Sequence, residues 1–166
     1  MRHIAAFLLG ILSACFGYAL GKEELSRTRV LEGFLELVSH ARYEISSFLT
    51  RRAELFSQFE NRELASLGFL ASLHTAQTLG EENPLYASLL AYEGRLTLSK
   101  EDLRVLTEWA RRLGETDVKE EVRRAEQTHA ALLESYEKQR EGVFEKVRLF
   151  RAVGIVACLC IWLILW

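Results

Sequence analysis

The stretch Glu126-Gln127-Thr128-His129 sets a carboxylate and an imidazole three residues apart. On a helix that spacing turns both onto one face, the half-motif from which carboxylate-bridged di-iron centres are built inside helical bundles. A complete centre needs a second copy, and neither His40 nor His74 has an acid three residues before it. The pair therefore reads as a part-buried histidine beside a solvated glutamate. Cys158-Leu159-Cys160 offers two thiols that are too close along one helix for a disulfide and have no histidine beside them. Small apolar packing is the ordinary reading there, and a lipid-attached cysteine the other. Neither a G-x-x-x-x-G-K-[ST] loop nor a G-x-S-x-G elbow occurs, so nucleotide chemistry and serine hydrolysis have no seat. No catalytic set, metal or cofactor is expected.

What remains is charge that could recognise a partner. Arg111-Arg112 and Arg123-Arg124 flank a corner at Gly114, with Glu115, Asp117, Glu120 and Glu121 between them. Such a cluster is either the solvated end of a bundle or a docking surface for another protein. The second reading makes Arg111, Arg112, Glu115, Asp117, Arg123 and Arg124 the candidate contact residues.

The elements that hold this corner read as helices throughout, because apolar residues recur at three- and four-residue spacing and almost nowhere alternate. Val30, Leu31, Phe34, Leu35, Val38, Ala41, Ile45, Phe48 and Leu49 form one wide stripe. Between Thr50 and Gly80 the pattern predicts two shorter helices parted near Asn61. Gly80-Glu81-Glu82-Asn83-Pro84 is a turn whose proline opens a short helix to Glu93, with Gly94 as its stop. Ser99-Lys100-Glu101-Asp102 has the form of a capping box, so a helix runs from there to Leu113. Gly114 supplies the left-handed residue after it. Thr116 or Asp117 caps the next helix, with Glu120 the acid three residues after Asp117. Leu113, Gly114 and Asp117 are thus the structural corner that sets two helices antiparallel. From Val118 the spacing of Val122, Ala125, His129, Leu132, Tyr136, Val143 and Phe150 predicts one helix of nearly 50 residues, about 73 Å long.

Composition limits what this bundle could be. A chain of 166 residues with a single proline suits one ordinary domain. Residues 22–148 carry 19 basic and 23 acidic side chains, a net of −4, which argues against a nucleic-acid partner. The three cysteines, Cys15, Cys158 and Cys160, lie in the apolar ends, so no disulfide framework staples the middle.

Those ends are long enough to matter. Ile4 to Leu20 holds no charge over 17 positions, roughly 25 Å of helix. Leu149 to Trp166 holds only Arg151, which can snorkel toward headgroups. Residues 1–21 and 149–166 are therefore expected to be transmembrane helices flanking a helical bundle at 22–148. Lys22, Arg27 and Arg29 follow the first span, and Lys146, Arg148 and Arg151 lead into the second. The positive-inside bias puts the middle in the cytoplasm and both termini across the membrane. A competing reading takes Leu12-Ser13-Ala14-Cys15 as a lipoprotein processing site. It would lipidate Cys15 and export the helical middle as a binding domain.

The whole arrangement resembles the stage III sporulation protein AB family of endospore-forming Firmicutes. The likeness lies in a short N-terminal span, the corner Leu113-Gly114-Glu115-Thr116-Asp117 opening a long charged helix, and a C-terminal span with a basic lead-in. Where that family commonly reads threonine-proline-leucine after its first helix, this chain has Thr50-Arg51-Arg52. The resemblance implies an all-α antiparallel bundle similar to the cytoplasmic domain of platform protein F of type II secretion. It implies a platform component of the channel between mother cell and forespore, located in the mother-cell membrane around the forespore. Its implied partners are a secretion-type ATPase, other sporulation channel membrane proteins and the lipid bilayer, and it admits a homo-oligomer.

Overall fold

The computed structural model of the chain describes residues 25–47 and 55–165 and, within these, all side chains but those of 143–147, 150–151, 154–155 and 157–165. Among the described residues every regular element is a helix. These are α1 (residues 25–47), α2 (Arg62–Ser66), α3 (Phe69–Thr78), α4 (Pro84–Tyr92), α5 (Lys100–Arg112) and α6 (Val118–Leu165). The all-α expectation holds. Two compact units divide the chain, Arg29–Tyr136 on the one hand and Met1–Thr28 with Glu137–Trp166 on the other.

The expected flanking spans are not among the elements the structure supports. Among the described residues no helix is long and apolar enough to cross a membrane. The first expected span, 1–21, lies outside the described residues, as do Lys22, Cys15 and the Thr50-Arg51-Arg52 stretch. Most side chains of 149–166 lie outside them too, with those of Lys146 and Arg151, whereas Arg27, Arg29 and Arg148 are exposed.

Start signals along the bundle are local and side-chain made. Asn61 opens α2 by accepting the Leu64 N–H on Oδ1 at 3.0 Å. Asn83 does the same for α4, accepting from the Tyr86 N–H at 3.1 Å ahead of Pro84, where the missing proline N–H costs nothing. At α5 Ser99 is the cap: the Asp102 N–H donates to Ser99 Oγ at 3.0 Å, and Ser99 Oγ–H donates to Asp102 Oδ2 at 2.6 Å, so the acid of the expected capping box meets the serine hydroxyl. Exchanging such a cap for alanine costs about 1 kcal/mol.

The 50–80 segment differs from its expected form. Residues 55–58 form only a turn, and the division between helices falls at Gly68 rather than near Asn61. Gly68 has φ 78° and lies beneath Tyr92, whose Oη stands 3.1 Å from where a Cβ would sit. Leucine-rich periodicity runs straight across such a glycine, which is why the pattern hides the break.

The interior of the Arg29–Tyr136 unit is the α1 stripe closed over by the short helices. Val30, Leu31, Phe34, Leu35, Val38, Ala41 and Ile45 are all buried, together with Leu37, which the stripe omitted. Phe34 meets Phe69 edge-on at 5.1 Å between centroids, and Phe69 meets Tyr92 in the same manner at 6.0 Å. Such pairs add about 0.5–1.5 kcal/mol to plain burial. Asn61 also ties α2 to α1, donating from Nδ2 to Glu36 Oε2 at 2.8 Å. Asn83 Nδ2 donates to the Ala110 carbonyl at 2.6 Å. The start of α4 therefore lies against the end of α5, and the two run antiparallel.

Candidate functional site

The corner after α5 is built from the inside. Leu113 is buried at 2% exposure, and Gly114 takes φ 78°, the left-handed conformation expected of it. Four residues later α6 has begun. The acid that fastens the turn is Glu121, not Glu120. Its Oε1 accepts the Gly114 N–H at 3.0 Å, the Thr116 N–H at 3.2 Å and the Thr116 hydroxyl at 2.9 Å. Glu121 is 4% exposed, so one carboxyl oxygen satisfies donors that the turn would otherwise strand.

Glu120 instead faces outward along α6. Arg123 donates to it from Nε and Nη2, both at 2.8 Å, and Arg124 from Nε at 3.2 Å. The same device appears on α5. There Arg111 Nη2 reaches Glu108 at 2.8 and 2.9 Å, and Arg112 Nη2 reaches it at 2.6 Å. The Arg111 hydrogen bond, reinforced by the charges of Arg111 and Arg112, holds the Glu108 carboxyl below its ordinary value. The Arg123 hydrogen bond, helped by Arg124, does this for Glu120. Being exposed on α5 and partly exposed on α6, these pairs order side chains more than they stabilise the fold.

Between α5 and α6 runs a groove of about 580 Å³. From α5 its walls take Arg104, Val105, Glu108, Trp109 and Arg112; from α6 they take Glu120, Arg123, Arg124, Gln127 and Thr128. Three of the six expected contact residues, Arg112, Arg123 and Arg124, are thereby brought to one place. Arg111 is held on Glu108 outside it, and Glu115 and Asp117 are exposed in the corner without lining it. Arg104 and Trp109 were not foreseen. For Arg104 the signal was available in the spacing, since 104, 108 and 112 recur every four residues and so share one side of α5; for Trp109 it was not.

Two donors in the groove walls stand out. Trp109 is 5% exposed, and its indole Nε1 meets no acceptor; Arg124 Nη1 is likewise buried and unpaired. A buried donor left so costs about 1–3 kcal/mol relative to one that is satisfied.

The histidines and the Glu126–His129 pair stand apart from this groove. Glu126 pairs with Arg42 across α1 and α6 at 3.4 Å, and His129 is half-buried on its own turn. His74 lies 3.3 Å from the Phe56 carbonyl, and His40 tilts against Phe59 at 5.4 Å. Among the described residues no three metal-ligating side chains gather. Cys158 and Cys160 fall where side chains are outside the description.

No curated protein and no solved structure matches the chain. The family described as stage III sporulation protein AB matches residues 2–166. With the Ser99 cap, the left-handed Gly114 and the long helix from Val118 in place, and the match running over nearly the entire length, the chain belongs to the stage III sporulation protein AB family.

Proposed function

We propose that this sporulation protein is a membrane-anchored platform in the channel complex between mother cell and forespore. It acts by protein contact rather than catalysis. The bundle faces the mother-cell cytoplasm and receives a secretion-type ATPase, while the apolar ends hold it beside ring-forming membrane partners. The observation that carries this reading is the arginine-lined groove at the α5–α6 corner in a member of this sporulation family. Anchoring is supported by the uncharged run Ile4 to Leu20 and by the exposed Leu149, Val153 and Val156, spaced four and three apart on α6.

Charge reversal at Arg123 and Arg124 is the direct test. Co-purification of the ATPase should fall at least tenfold in the doubly reversed variant while helicity by circular dichroism is unchanged. Undiminished retention would remove the corner from the docking surface. Compartment is tested by a protease site inserted at Glu81–Asn83, a turn whose residues 81 and 82 are exposed. Protection until the membrane is opened fits the platform. Cleavage in intact spheroplasts would overturn it in favour of the lipoprotein anchored at Cys15.

A further inference from the structure

The groove is specific about what it lacks. Trp109 Nε1 and Arg124 Nη1 are both buried and unpaired, and both can only donate. The acceptors nearest in sequence are already engaged. Glu120 takes Arg123 and Arg124, and Glu108 takes Arg111 and Arg112. Arg104, which lines the same walls, has no carboxylate partner among the described residues. An entering cation would find each carboxylate of the groove occupied by arginine, whereas an entering acceptor finds the free Arg104 guanidinium and, once the side chains of the wall part, two stranded donors.

Charge points the same way. The walls hold Arg104, Arg112, Arg123 and Arg124 against Glu108 and Glu120, an excess of two positive charges on a chain whose net charge is −2. The local sign is thus opposite to the global one, a pattern that selects an acidic partner and speeds its approach. The backbone amides of the corner, which would otherwise suit a phosphate at a helix N-terminus, are already spent on Glu121. The available donors are instead side chains distributed over two helices, with Val105 and the Trp109 ring between them. That mixture fits a carboxylate on an aliphatic stem better than a bare anion.

We propose that the groove receives an acidic segment of a partner protein, with one carboxylate accepting from Trp109 Nε1 and Arg124 Nη1 and flanking acids meeting Arg104 and Arg112. This deepens the docking reading given above and rests on it, because it names the chemistry of the partner at the same corner.

The test uses full-length protein in nanodiscs, labelled with ¹⁵N at tryptophan and titrated with an end-capped hexaglutamate peptide. Trp109→Phe identifies the Trp109 indole signal and keeps the ring in place. The expected result is a saturable downfield shift of that signal alone, at least tenfold weaker binding in Trp109→Phe and in Arg124→Gln, and no response to hexalysine. Arg104→Gln, an exposed change that leaves the fold alone, should weaken binding severalfold and guards against a folding defect in the other two. An unshifted Trp109 signal would overturn the proposal, and so would an equal shift with inorganic phosphate at matched charge. Retention of the ATPase is read separately. If the ATPase is held and hexaglutamate is not, the docking reading stands and the acidic segment is wrong. If hexaglutamate is bound and the ATPase is not held, the acidic-segment assignment stands and the identity of the partner is wrong.

Discussion

The Glu121 carboxyl oxygen Oε1 accepts the backbone N–H of Gly114 at 3.0 Å, closing the α5–α6 corner from within. Two donors of Thr116 share that oxygen, so the turn after α5 is fastened to α6 by one side chain. Glu121→Ala strands all three donors in a part-buried turn and should cost about 2–4 kcal/mol in urea unfolding, since each stranded donor is worth about 1–3 and some regain water. Glu121→Gln keeps an acceptor oxygen and should cost about half as much. Equal stability of Glu121→Ala and the parent would show that the turn is held by Leu113 alone.

Glycine positions separate two physical costs. Gly68 and Gly80 both have positive φ, 78° and 73°, but only Gly68 has a neighbour, Tyr92 Oη, at 3.1 Å from a built Cβ. Gly80→Ala should therefore cost the left-handed conformation alone, about 1–2 kcal/mol. Gly68→Ala must also move Tyr92 from its edge-on contact with Phe69, adding about 0.5–1.5 kcal/mol. Thermal midpoints that order the two variants the other way would mean that Tyr92 swings clear at no cost.

Much of this fold was legible because its signals are local. Ser99 with Asp102, Asn83 with Pro84, and Gly114 each act within a few residues, so their types and spacing declare them. The buried face of α1 was legible because a stripe that must be covered repeats at helical period. Gly68 was not, since what fixes it is Tyr92, 24 positions away along the chain. The site divides in the same way. Arginine pairs either side of a corner can be read as a cluster, but their sorting into Arg112, Arg123 and Arg124 in the groove and Arg111 outside it depends on how α5 rotates against α6. Trp109 looks like core from its pattern and is core by burial. Only the unpaired Nε1 distinguishes it, and hydrogen bonding across helices leaves no trace in periodicity.

Acid should unmake the arginine clamps in a defined direction. The folded-state values of Glu108 and Glu120 are depressed below the ordinary 4.5, chiefly by hydrogen bonds from Arg111 and Arg123 respectively. A depressed carboxyl contributes stability that is fully present above the unfolded value and lost as pH falls through the folded one. The contribution is thus constant at neutral pH and declines only below about 4.5. Carbon-detected titration should place the Glu120 carboxyl below that value in the parent, and Arg123→Gln should move it upward. An unmoved midpoint would assign the depression to Arg124 instead.

Asn83 carries two separable duties, and its variants can part them. Oδ1 caps α4 through the Tyr86 N–H at 3.1 Å, while Nδ2 donates to the Ala110 carbonyl at 2.6 Å. Asn83→Ser keeps a cap acceptor but cannot reach α5, so it should lose only the Nδ2 bonds to the Ala110 and Arg111 carbonyls, about 0.5–1.5 kcal/mol with the longer one adding little. Asn83→Ala loses the cap as well, another 1 kcal/mol or so. Asn83→Asp retains a good cap but turns an acceptor toward the Ala110 carbonyl, so two acceptors face each other where a donor stood. It should be less stable than Asn83→Ser at pH 7, and the gap should close as the aspartate protonates and regains an O–H to donate. Urea midpoints measured at pH 7 and again in acid, where the aspartate is protonated, decide it. An aspartate variant as stable as the serine one at pH 7 would mean that α4 and α5 are held together by their apolar contacts and not through Asn83.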